Sequence, residues 1–168
     1  MNTSTEWTDL HAGVVDGEIN IHGQSRYPDA KLLSALVNRP FLIVGVMYAS
    51  VEGFHQGIKF PPGDRRRKRA FVSSWGYAKS FSRQAEEKYV WWQDRQILWG
   101  STEHKELIKM AFRESFLQNQ DRLDALLRTD KLTIRHYTED GDRLNTPFST
   151  QEFCEVLTNL REAFQLER

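Results

Sequence analysis

The chain is expected to be mainly α-helical with a few short β-strands, folded as a single compact domain. Three observations carry that expectation. Leu107, Ile108, Ala111, Phe112 and Phe116 form a continuous apolar stripe at helical spacing, behind Ser101 or Thr102 as a cap. Phe153, Val156, Leu157, Leu160 and Phe164 repeat that arrangement behind Ser149 or Thr150. Strand-like patterning is confined to three short runs, Ile19–Ile21, Phe41–Val46 and Leu132–Tyr137.

In chain order, residues 1–18 read as an N-terminal extension and 19–168 as the domain. Ile19-Asn20-Ile21 alternates like a short strand. After Pro28, residues 29–37 suit a brief helix or an ordered loop. The β-branched run from Phe41 to Val46 reads as a buried strand. Ser50 then caps a helix with Val51, Phe54 and Ile58 on its apolar face, and Glu52 in the first turn suits the helix dipole. Pro61-Pro62-Gly63-Asp64 stops that helix, and Arg65–Arg69 follows as a basic loop. Ser73-Ser74 caps a helix through Tyr77, Phe81 and Gln84. An aromatic-rich helix is expected from about Glu86 to Trp99, ended by Gly100. Asn119 or Asp121 starts a helix carrying Leu123, Leu126 and Leu127. Glu139-Asp140-Gly141-Asp142 reads as a turn.

Composition narrows the function classes. The 168 residues suit one domain with a real core, and Lys+Arg and Asp+Glu balance at 23 each, so no global charge demands a polyanion. Cys154 stands alone, which excludes an internal disulfide. The first residues lack a secretory layout, and no apolar run approaches the length of a membrane span. A soluble, cytoplasmic protein without membrane contact is expected. His11, His22, His55, His104 and His136 show no metal-ligand spacing, and neither a phosphate loop nor a Gly-x-Ser-x-Gly elbow is present. No metal or cofactor is therefore expected.

The chemistry-bearing segment is Ser50–Phe60. On a helix, Glu52, His55, Gln56 and Lys59 form one polar stripe, with Glu52 and Lys59 nearly two turns apart and almost in file. A carboxylate of this kind orients water or moves protons at a sugar. A desolvated lysine attacks an aldehyde to give an imine. The same stripe also fits an ordinary wet helix face, and spacing leaves both readings open. Arg65–Arg69 suits phosphates or simple solvation. Trp91, Trp92 and Trp99 suit base stacking or a core. Ser25-Arg26, after the first strand, is a further phosphate-binding candidate.

Taken in order, these residues resemble the NADAR family, the YbiA-like N-glycosidases. Ser50, Glu52, Phe54, Gln56 and Lys59-Phe60 match its helix motif. Leu33-Ser34-Ala35-Leu36, Gly76-Tyr77-Ala78-Lys79, Trp99 to Met110 and Phe116, Leu126-Leu127-Arg128-Thr129 and Leu160-Arg161-Glu162 follow in the family's order. The resemblance covers roughly residues 19–166 and implies a YbiA-like helical domain. It also implies hydrolysis of the N-glycosidic bond of a ribosylated base, of ADP-ribosyl-nucleobase or phosphoribosyl-pyrimidine type. Glu52 and Lys59 would then be catalytic, with the lysine acting electrostatically or through an imine. Gln56 and Trp99 would bind substrate, Trp99 by stacking on the base, while Ser25 and Arg26 would face the phosphate. Ala35 stands where the family has Asn, and residues 140–151 lack its Trp and its Asn-x-Leu-Gly element. Nucleic acid bound through Arg65–Arg69 is a possible partner. Two alternatives stay open: a non-catalytic ADP-ribose, nucleotide or nucleic-acid binding module on the same scaffold, and a helical interaction protein.

Overall fold

The computed structural model describes residues 9–138 and 146–167. The turn expected at residues 139–142 lies outside them. The elements run β1 (Val14–Val15), β2 (Glu18–Asn20), α1 (Pro28–Leu32), β3 (Phe41–Ile43), β4 (Val46–Tyr48), α2 (Val51–Gly57) and α3 (Arg65–Phe71). They continue with α4 (Trp75–Ser80), β5 (Tyr89–Trp92), β6 (Arg95–Leu98), α5 (Thr102–Leu117), α6 (Gln120–Arg128), β7 (Thr133–Arg135) and α7 (Thr150–Leu166). The fold is mainly helical, with short strands, as the apolar periodicity predicts. The chain divides into two compact units, one drawn from 1–34, 121–143 and 149–168, the other from 35–120 and 144–148.

The first unit holds a three-stranded sheet in the order β1-β2-β7. Asp16 and Gly17, both with positive φ, form a two-residue turn that returns β1 onto β2. The β2–β7 pair is parallel, with Ile19 opposite Ile134. Asn20, fully buried between them, donates to the carbonyls of Leu10 and Tyr137 and accepts from the Tyr137 N–H, so no polar atom of its amide is wasted. Arg122 is 1% exposed and donates to the carbonyls of Leu32, Leu33 and Ser34. These are the acceptors that the short helix α1 leaves open at its C-terminal end, where a cation is favoured. At α7, Ser149 and Glu152 form a reciprocal capping box. Either Ser149 or Thr150 satisfied the pattern in the sequence; the extended backbone of Ser149 settles it.

The second unit is organised around α2, against which α3, α4 and α5 pack. From Val51 to Phe60 every residue except Glu52 is buried. Ser50 is wholly buried at the N-cap: its Oγ accepts from the Gly53 N–H at 2.9 Å and donates to the Ser73 carbonyl at 2.8 Å. One hydroxyl thus starts the helix and ties it to the end of α3.

Three local expectations are corrected here. The run Phe41–Val46 is not one buried strand but enters a hairpin. Phe41 and Ile43 face inward, Leu42 is 45% exposed, and Val44-Gly45 turn the chain with positive φ. Arg65–Arg69 is not a loop: Asp64 accepts from the Arg66 N–H and caps α3. The segment from Glu86 to Trp99 is not a helix but the β5–β6 hairpin, with Val90 opposite Ile97 and both buried. Aromatic and β-branched residues there pack on a pleated face, and Gln93 takes the left-handed turn position. Their near-helical spacing was incidental.

Candidate active site

Lys59 is the centre of the site, and several contacts fix its position. Helix α2 ends at Gly57, with Ile58 as C-cap, so Lys59 lies in the tight turn that follows rather than in file above Glu52 on continuous helix. The Phe60 N–H bonds back to the Gly57 carbonyl at 3.1 Å. The hairpin holds this turn from outside: the Trp91 N–H donates to the Ile58 carbonyl at 2.6 Å, and Arg67 bridges the carbonyls of Phe60 and Trp91. A basic residue expected to meet phosphate is therefore a clamp on the backbone of the site.

The Lys59 side chain is 0% exposed, and its Nζ lies 3.9 Å from Glu87 Oε1. The same Nζ stands over the Trp99 ring, 4.7 Å from its centroid. Burial pulls the Lys59 pKa below the ordinary lysine range, opposed in part by the negative charges of Glu52 and then Glu87. Gln56, one turn beyond Glu52, donates from Nε2 to Glu52 Oε1 at 2.8 Å and so orients that carboxylate. Of the polar stripe, Glu52 alone is partly open to solvent, while His55, Gln56 and Lys59 are all at most 6% exposed. A wet surface face is excluded by those numbers.

Two groups at the site had no signal in the sequence. Glu87 precedes the hairpin, at no regular spacing from Lys59. His104, in the first turn of α5, is wholly buried beside Trp99, with ring centroids 4.7 Å apart. It stacks on His55 at 6.0 Å, with the planes 8° apart. Its Nδ1 accepts the Gly100 N–H at 3.1 Å. Burial, and secondarily the Lys59 charge, push its pKa down to about 4. Because the unfolded chain binds a proton here below about pH 6.5 while the fold resists it, stability falls as pH drops from 6.5 towards 4. A urea midpoint that falls between pH 7 and 5 in the wild type, and falls less in His104→Gln, is the expected result.

The remaining sequence-derived candidates have defined places. Trp99 is half-buried under the Lys59 amine, at the head of α5. Ser25 and Arg26 belong to the first unit, whereas Glu52, Gln56, Lys59 and Trp99 belong to the second. Ser25 is buried and its Oγ accepts from the Tyr27 N–H; exposed Arg26 pairs with Asp9. In the basic run, Arg66 pairs with Asp64 and Arg69 donates to the Tyr77 hydroxyl, while Arg65 and Lys68 point their charge outward. The first unit also has a groove of about 800 Å³ beside β7 and α7, lined by Arg135, His136, Cys154, Thr158 and Arg161 among others. Burial raises the Cys154 thiol to about 11, so it is no nucleophile at neutral pH. Among the described residues, no three His, Cys, Asp or Glu gather as a metal site, and no helix is long and apolar enough to cross a membrane.

A solved structure, the NMR structure of the Escherichia coli protein YbiA, superposes with a TM-score of 0.65 at 20% identity, covering 95% of this chain and 94% of that one. The chain as a whole therefore has the YbiA fold, as its motif order leads one to expect. It is also 28% identical over 155 residues to a 17.1 kDa protein of the Gp30-rIII intergenic region of enterobacteria phage T4, covering 87% of this chain and 98% of that protein. Residues 26–162 match the family described as bacteriophage protein GP30.3, and with that span, helices α2 and α5 included, the chain belongs to the GP30.3 family.

Proposed function

We propose that this protein is an N-glycosidase that hydrolyses the bond between a ribose and a nucleobase, with Glu52 and Lys59 as its catalytic residues. The observation that carries the reading is a lysine with no exposed side-chain surface, set over an indole and within the field of Glu52. Burying an amine this completely is costly to a fold and suits a nucleophile, because it raises the neutral fraction. The YbiA fold and the NADAR-like motif support the same reading.

In the proposed reaction the Lys59 amine attacks the anomeric carbon, and the C1–N bond breaks with its electron pair going to the base. A proton shed by the lysine reaches the departing base through Glu52. The lysine lone pair then opens the sugar ring, giving a protonated imine at C1 and an alkoxide at O4, which takes up the proton that Glu52 draws from the incoming water. Water, deprotonated by Glu52, adds to C1, and the proton left on its oxygen passes to the lysine nitrogen as the C1–N bond breaks and the amine departs. The resulting aldehyde recloses to ribose, so the net change is hydrolysis. Gln56 holds the Glu52 carboxylate in place throughout. Trp99 supplies an apolar wall, and the exposed Arg65 and Lys68 leave room for a phosphate-bearing substrate, nucleic acid included.

The test is incubation with ADP-ribose, whose free aldehyde condenses with an amine, followed by borohydride reduction and intact-mass analysis. An adduct that maps to Lys59 and disappears in Lys59→Arg is expected. Saturable binding of ADP-ribose with no adduct, and no base released from ribosylated substrates, would replace the enzyme by the binding module.

A further inference from the structure

We infer that His104 is a substrate-binding residue of this site, donating an Nε2–H hydrogen bond to the 2-hydroxyl of the ribose held between Glu52 and Lys59. This rests on the glycosidase reading above and specifies which sugar the site selects.

The tautomer follows from geometry. His104 Nδ1 accepts the Gly100 N–H, so the hydrogen of the neutral ring must sit on Nε2. The ring stays neutral at physiological pH, because burial disfavours the imidazolium and the Lys59 charge adds to the penalty. Nε2 is nevertheless a donor without an acceptor: it is buried and has no hydrogen-bond partner among the described residues. Gln56 Oε1 is buried in the same condition, as an acceptor without a donor. Native proteins rarely leave such atoms unsatisfied unless something else completes them.

Both orphans belong to the Lys59 cluster. The His104 ring lies 4.7 Å from Trp99, the indole that carries the Lys59 amine at the same distance. Gln56 is already bonded to Glu52 through its amide nitrogen. A ligand that satisfies these two atoms must offer one acceptor and one donor. A phosphate or carboxylate offers acceptors alone, whereas a sugar hydroxyl offers both. The hydroxyl nearest a carbon under attack by Lys59 is the one on C2. A neutral donor also serves better than a cation here, since it holds the hydroxyl without repelling the positive charge that develops at C1.

The probes are ribose 5-phosphate and 2-deoxyribose 5-phosphate. Nitrogen-detected imidazole spectra of the wild type are expected to show the Nε2–H tautomer of His104 at pH 7, and its resonance should shift on saturation with ribose 5-phosphate. Calorimetry should show the ribose compound binding about tenfold or more tightly than the deoxy compound. His104→Phe, which keeps the ring, should erase that preference, and His104→Gln, which restores an amide donor, should recover part of it. An Nδ1–H tautomer, or an Nε2 resonance unmoved by bound ribose 5-phosphate, overturns the inference without any variant having to fold. Wild type that binds ribose 5-phosphate without preference over the deoxy compound overturns it while leaving the glycosidase reading intact. Wild type that binds neither compound overturns both.

Discussion

Glu52→Gln is expected to lower kcat by about 100- to 10,000-fold, the usual range for loss of a positioned acid–base group. The substitution keeps the size of the side chain, its place in the first turn of α2 and an oxygen for Gln56 to donate to. Circular dichroism and the melting temperature should therefore be close to wild type. Lys59→Met should remove turnover altogether, yet make the protein more stable. Methionine takes the buried place beside Trp99 without an amine to desolvate, and Glu52 and Glu87, both at least partly open to solvent, are not left as buried unpaired charges. Activity near wild type in either variant would end the assignment of Glu52 and Lys59. A Lys59→Met protein that melts well below wild type would show that the lysine serves the fold.

Gly53→Ala is expected to have the largest effect on stability, about 3 kcal/mol or more. A Cβ at this position would stand 2.5 Å from the Ser73 carbonyl oxygen and 2.6 Å from that of Ala70. Both are backbone atoms at the end of α3, and Ser73 is itself the acceptor for the Ser50 N-cap hydroxyl. Relief of the clash would push α3 away from α2 and break the cap. Gly76→Ala, in α4, is the control, because no atom lies within 4 Å of a Cβ there. That variant should be neutral or gain about 0.5–1 kcal/mol from helix propensity. Urea melts of the two proteins separate the explanations: equal midpoints would mean that the α2–α3 approach is not the constraint described.

What could be read in advance follows the range over which each interaction acts. The caps at Ser50, Ser101 and Ser149 and the apolar stripes of α5 and α7 depend on neighbours within one or two turns, so the residue order displays them. The same holds for Glu52, Gln56 and the lysine just past the helix end, which one short segment supplies. The β5–β6 hairpin is hidden in the sequence because Trp91, Trp92 and Trp99 satisfy a helical spacing as well as a pleated one. The pairing of Val90 with Ile97 that decides between them is made across the hairpin. The helix at Arg65–Arg69 is hidden in the same way: a cluster of like charge suggests solvation, whereas Asp64 provides a cap and Arg67 finds backbone acceptors on two other segments.

The polarity of the α2 stripe is thus a local property, and so is the nearness of Glu52 to Lys59 along the chain. Whether that stripe is wet or dry is not local. It depends on α3, α4 and α5 closing over α2, on the hairpin pinning the turn that carries Lys59, and on Glu87, Trp99 and His104 arriving from distant positions. Desolvation is what lowers the lysine pKa and keeps His104 neutral, and desolvation belongs to a packed surround, which only the tertiary structure assembles.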